Sequence, residues 1–114
     1  MEIINKTKNT VLAKEAIVAD TALRRIKGLL GRKDFQPGEA LIIKPCNSIH
    51  TFFMRFSIDV LFVDKNNRVI KALPSIKPFC FTSIYFKAHL AIELPAGTLD
   101  SSLTQEGDSL LLEH

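Results

Sequence analysis

Along this chain the alternation of apolar and polar positions is strand-like almost everywhere and turns helical in one place. Residues 2–5 read as a short strand. From Val11 to Ala19 two interleaved sets, one with Val11, Ala13 and Ile17 and the other with Leu12, Ala16 and Val18, are broken only by Lys14 and Glu15. That run predicts a second strand, paired with the first through a turn at Lys8–Asn9. The period then lengthens. Asp20 can cap a helix in which Leu23, Ile26 and Leu30 recur at spacings of three and four, with Ala22 and Leu29 alongside and Gly31 as terminator. Gly28 falls inside this N-terminal helix, where it costs about 1 kcal/mol relative to alanine.

After the Pro37–Gly38 turn the pattern is strand-like again. Ala40–Lys44, His50–Phe56 and Ile58–Val63 are expected strands, and Asp64–Asn67 is a hairpin turn from which Arg68–Leu73 returns antiparallel. Pro74–Pro78 reads as a loop, Phe79–Lys87 and His89–Leu94 as strands, Thr98–Thr104 as a short helical turn and Ser109–Leu112 as a last strand. Short strands in this number with one N-terminal helix predict a mainly β protein, a small antiparallel β-sandwich or barrel. A parallel α/β fold would need a crossover helix after nearly every strand, and these connections are too short.

Composition narrows the picture further. With 114 residues and 46% hydrophobic content, one core and a single domain over residues 1–111 are expected. Leu112, Glu113 and His114 look like the start of a vector-encoded tag and are set aside. No apolar stretch approaches the roughly 20 residues that cross a bilayer. The opening residues also lack the basic and apolar regions of a secretory leader. A cytoplasmic location without a membrane partner is therefore expected, with Cys46 and Cys80 as two buried, reduced thiols. Eight phenylalanines but one tyrosine and no tryptophan bury well and offer few polar aromatic handles. The net charge of +3 favours a polyanion without specifying one.

Three blocks carry a family likeness: Arg25–Arg32, His50–Phe62, and Glu93-Leu-Pro-Ala-Gly97 with Gly107-Asp108 behind it. In this order and spacing the chain resembles the prokaryotic family called domain of unknown function 192, from about residue 10 to 112. The resemblance implies a jelly-roll-like β-sandwich or barrel with helical decoration, and no established reaction. This chain has Leu30 where relatives carry methionine, an apolar exchange, and Ser57 where they carry proline. The likeness also makes Arg25, Asp59 and Glu93 the trio to inspect for grouping.

Asp59 lies between Ile58 and Val60 in one of the most apolar stretches, with Arg55 four residues earlier. A charge there must be paired or hydrogen-bonded. An ion pair with Arg55, acceptance of turn amide protons, and the floor of a polar pocket are the three readings. A non-catalytic binding or accessory domain follows, holding a small ligand or protein partner near Arg25, Met54, Arg55, Asp59 and Glu93. The alternatives are a small hydrolase or lyase with Asp59 and Glu93 as paired acids, and nucleic-acid binding through Arg24, Lys27, Arg32 and Lys33. Cys46 with His50 or His89 lacks any nucleophile motif, and with Cys80 lacks recurrent zinc spacing. Gly28, Gly31 and Gly38 form no phosphate-cradling loop. Neither a cofactor nor a metal is expected.

Overall fold

A computed structural model describes residues 1–113 apart from 22, 23, 25 and 26. In chain order its elements are β1 (Glu2–Asn5), β2 (Thr10–Ala13), β3 (Glu15–Ala19), β4 (Glu39–Ile43), β5 (Ile58–Val63), β6 (Val69–Ile76), β7 (Leu90–Pro95), a short helix α1 (Thr98–Ser101) and β8 (Leu110–Glu113). They form a three-stranded sheet in the order β2-β1-β8 and a five-stranded sheet in the order β3-β4-β7-β5-β6. The protein is mostly β, as expected, but neither sheet closes on itself, so the barrel alternative is not met.

The long run from Val11 to Ala19 is two strands, not one. The amides of Lys14 and Glu15 both donate to the Gly38 carbonyl, at 3.0 and 2.9 Å, and the chain bends there from one sheet into the other. The all-antiparallel expectation also fails at one pair: β3 and β4 run parallel, in register from Glu15↔Glu39 to Ala19↔Ile43. Residues 20–38 join the two strands and exceed the dozen or so residues that the crossover of a parallel pair requires.

The five-stranded sheet is covered on both faces, which is why β5 and β7 read as nearly continuous apolar runs. On the first face Ala40, Ile42, Leu61, Val63, Leu90, Ile92 and Leu94 share a core with Ile3, Leu12 and Leu110 of the smaller sheet and with Leu99 of α1. On the second face Leu41, Ile43, Val60, Phe62 and Ala91 pack with Leu29, Met54 and partly buried loop residues such as Phe56 and Tyr85. Neighbouring residues of one strand therefore serve different cores.

Arg24 and Lys27 are helical, and Gly28 N–H donates to the Arg24 carbonyl at 2.9 Å. Ala22, Leu23, Arg25 and Ile26, the rest of the expected N-terminal helix, lie outside the described residues. Gly28 does not sit inside a helix: with φ 46 it begins a run of turns through Gly31, since a left-handed residue stops the helical ladder. The strand expected over His50–Phe56 is also absent. His50 bridges Phe81 in isolation, and the chain then turns. Here the buried Thr51 takes over the backbone bonding: its hydroxyl donates to the Lys77 carbonyl at 2.6 Å and accepts from Cys80 N–H at 2.9 Å. Phe79–Lys87 is accordingly a loop, laid against residues 46–51 by backbone bonds from Thr51 N–H to the Cys80 carbonyl and from Tyr85 N–H to the Asn47 carbonyl. Finally, β6 runs through Pro74 to Ile76 where a loop was expected, which an edge strand permits.

Candidate functional site

Asp59 is fully buried on the first face of the large sheet, opposite Leu94 of β7. Its Oδ1 accepts Ser75 N–H at 2.8 Å, and its Oδ2 accepts Gly97 N–H at 3.1 Å and Leu99 N–H at 2.9 Å. The N-terminus of α1 has no side-chain cap of its own, because Gly97 occupies the capping position with φ 98. A strand carboxylate thus satisfies the orphan amides of a helix distant in sequence. Of the three readings for Asp59, acceptance of turn amide protons is the observed one. Arg55 is exposed and forms no ion pair with it.

Glu93 occupies the same region of the sheet with the opposite orientation. It lies between Leu41 and Val60 in register, so its side chain belongs to the second face. Asp59 and Glu93 are consequently on opposite sides of one sheet and cannot act as paired acids on a single bond. The Glu93 side chain is 1% exposed, and its Oε2 has no hydrogen-bond partner among the described residues. Burial pushes its carboxyl up to about 8, so near neutral pH the group is largely protonated.

The cavity that Glu93 lines has a volume of about 420 Å³. Leu29, Ile43, Ile49 and Met54 give it apolar wall; Cys46 and Ser48 add polar atoms; Lys27 and His50, both exposed, belong to its outer part. Cys46 is half-buried, its thiol donating to the Ser48 carbonyl at 3.1 Å, and Cys80 is exposed, so the expectation of two buried thiols fails at Cys80. Among the described residues no group of three or more His, Cys, Asp or Glu side chains is arranged to hold a metal ion.

Of the five residues expected at a pocket, Met54 and Glu93 therefore line this cavity, Asp59 and Arg55 do not, and Arg25 lies outside the described residues. Sequence reasoning did not connect Cys46 and His50 with Glu93. The available signal was the Pro45–Ser48 turn directly after β4, which returns the chain over the face that Glu93 enters.

The basic residues proposed for nucleic acid do not act as one free surface. Arg24, Lys27 and Lys33 are exposed, whereas Arg32 is bound to Glu39 at 2.8 Å and lies 5.5 Å over the Phe35 ring. Asp34 and Glu39 place negative charge beside the cations, which weakens a phosphate-binding reading.

Comparison with known proteins places this geometry among relatives. The family described as uncharacterised ACR, DUF192, matches residues 3–112. The chain is similar to a UPF0127 protein of Pyrococcus horikoshii, with 36% identity over 95% of this chain and 96% of the relative. It is also similar to one of Thermococcus sibiricus, with 33% identity over 95% of this chain and 72% of the relative. Among solved structures it resembles a protein of unknown function from Novosphingobium aromaticivorans, with TM-score 0.86 and 18% identity over 98% of this chain and 84% of that one. A putative transcription regulator from Sinorhizobium meliloti follows, with TM-score 0.79 and 17% identity over 96% of this chain and 89% of that one. At such identities the structural likeness speaks to the fold alone.

Proposed function

The chain belongs to the DUF192 family, whose members carry no established activity, and from that premise we propose that it is a non-catalytic binding domain whose cavity takes a small organic ligand through Glu93. The ligand has an apolar body that fills the wall formed by Leu29, Ile43, Ile49 and Met54, and a head group that presents an N–H donor to the carboxyl. One observation carries the reading: a buried carboxyl oxygen of Glu93 without a partner among the described residues belongs to the lining of a cavity of about 420 Å³. Ligand pockets commonly fall between about 300 and 1,000 Å³ and combine apolar walls with a few convergent polar groups. An unsatisfied buried acceptor costs about 1–3 kcal/mol, which a donor from a ligand offsets. The accompanying picture is a cytoplasmic protein with a single jelly-roll-like β-sandwich domain; the core that the two sheets share supports the single domain, and β8 carries it past the expected limit at residue 111 to Glu113. No helix among the described residues is long and apolar enough to cross a membrane.

The test is an amide-shift NMR titration of labelled protein with a panel of small amines and amides, matched to alcohols and carboxylic acids of the same carbon skeleton. Shifts are expected around Ile43, Cys46, Ile49, Met54 and Glu93 with the N–H donors, and Glu93→Leu, which removes the acceptor, should weaken them at least about tenfold. Equal response to the matched acids, or no response around the cavity at any concentration, overturns the reading.

A further inference from the structure

The loops that cover the second face carry large apolar side chains pointing into solvent. Phe53, Phe79, Phe81 and Phe86 are 73%, 65%, 74% and 85% exposed, and Ile84 is 54% exposed. Three of these phenylalanines join one cluster around Phe52, whose ring centroid lies 6.4 Å from Phe79 and 5.5 Å from Phe81, while Phe53 lies 6.2 Å from Phe79. Exposed aromatic side chains grouped in this way mark an interaction surface.

Charge says what kind of surface. Between Lys44 and Ile58, and again between Lys65 and Ile92, the chain contains no aspartate or glutamate. Arg55, Lys77 and Lys87 are exposed, and each stands within two residues of an exposed phenylalanine. The occupant is therefore anionic as well as apolar; a second copy of this patch would bring like charges together.

Two features favour lipid over an acidic protein. The exposed side chains are phenylalanine and isoleucine, without the polar handle that tyrosine and tryptophan bring to protein interfaces. The supporting backbone is also bonded internally, with Thr51 N–H to Cys80, Phe79 N–H to Thr51, Thr82 N–H to Ile49 and Tyr85 N–H to Asn47 carbonyls, as entry into an apolar medium demands. Phe53 and Phe79 hold these exposed positions with φ of 66° and 63°, a conformation that costs an L residue free energy.

We propose that this acid-free aromatic ribbon docks on an anionic membrane surface, with the phenylalanine tips at the headgroup–acyl boundary and Arg55, Lys77 and Lys87 against lipid phosphate. That no helix among the described residues is long and apolar enough to cross a membrane has no bearing on such peripheral contact. The surface is independent of the cavity reading, so the two fail separately.

The experiment is co-sedimentation of the full chain with vesicles of phosphatidylcholine, with and without phosphatidylserine, at low and moderate salt. Binding is expected on the phosphatidylserine vesicles, falling with salt. Phe53→Asn with Phe79→Asn should lower the partition coefficient at least about tenfold, asparagine being tolerant of the left-handed backbone. Lys77→Gln with Lys87→Gln should lower it about tenfold on the anionic vesicles only. Phe86→Ser, at the most exposed position, should lower it at least about fivefold and supplies the test if the double asparagine variant does not fold. Glu93→Gln should leave it unchanged. No partition at low salt, partition unaltered by the phenylalanine variants, or concentration-dependent self-association that these variants abolish would each overturn the proposal.

Discussion

Replacing Asp59 tests the most specific structural assignment in this protein. In Asp59→Ala, the amides of Ser75, Gly97 and Leu99 lose their acceptor together. Only Leu99 is itself buried, while Ser75 and Gly97 lie in exposed positions whose amides can recover water. The buried amide costs about 1–3 kcal/mol, and the two recoverable ones add about 0.5–1 kcal/mol each. The bonds to Gly97 and Leu99 are themselves the cap of α1, so no separate capping cost is added. The sum is about 2–5 kcal/mol, a large part of the 5–15 kcal/mol by which domains are ordinarily stable. Urea unfolding of Asp59→Ala and of Arg55→Ala, followed by circular dichroism, measures it. Arg55→Ala should stay within about 0.5 kcal/mol, as an exposed side chain away from such networks does. A loss below about 1 kcal/mol for Asp59→Ala would refute the capping role. A loss in Arg55→Ala matching that of Asp59→Ala would instead restore the ion pair.

Two further outcomes follow from the titrating groups. Glu93 is raised from 4.5 to about 8, so between those values the folded protein holds a proton that the unfolded chain releases. Its contribution is full below pH 4.5 and is lost as pH rises towards 8, by up to about 1.4 kcal/mol per pH unit. Glu93→Gln should flatten the urea midpoint over that window, and an unchanged slope would refute the burial argument. Asp108 behaves oppositely. Burial alone would raise its pKa, but hydrogen bonds from Asn5, Lys8 and Gln105 and the Lys8 charge lower it. Its contribution is present above the ordinary aspartate range and lost as pH falls through the lowered value. Asp108→Asn should cost about 1.5–3 kcal/mol at neutral pH and much less in acid, by the same unfolding assay. An equal cost at both pH values would contradict the assignment.

The elements legible in the sequence are those whose signals are local. The Asp64–Asn67 hairpin is written in its own residues: Asp64 Oδ1 accepts Asn66 and Arg68 N–H at 2.9 and 3.0 Å, and Asn67 takes φ 61. β5 and β7 announce themselves by runs that are apolar except at Asp59 and Glu93. What could not be read is set by distant partners. The break at Lys14 depends on the Gly38 carbonyl, and the failure of His50–Phe56 to form a strand depends on Thr51 meeting Lys77 and Cys80. Asp59 and Glu93 were both visible as acids in apolar surroundings. Their separation came only from register: Asp59 is opposite Leu94 while Glu93 is opposite Val60, and a one-residue step exchanges the faces of a sheet.

The pairing of β1 with β8, from Glu2↔Glu113 to Asn5↔Leu110, has a consequence for the order of assembly during synthesis. The chain leaves the ribosome from its N-terminus, at about 5–20 residues per second. All five strands of the larger sheet, from Glu15 to Pro95, emerge before β8 does. The β1–β2 hairpin therefore waits with one edge unpaired, and the core beneath it lacks Leu110, until the last strand arrives. In that interval the nascent protein presents an open strand edge beside apolar surface, the combination most prone to pairing with a neighbouring chain.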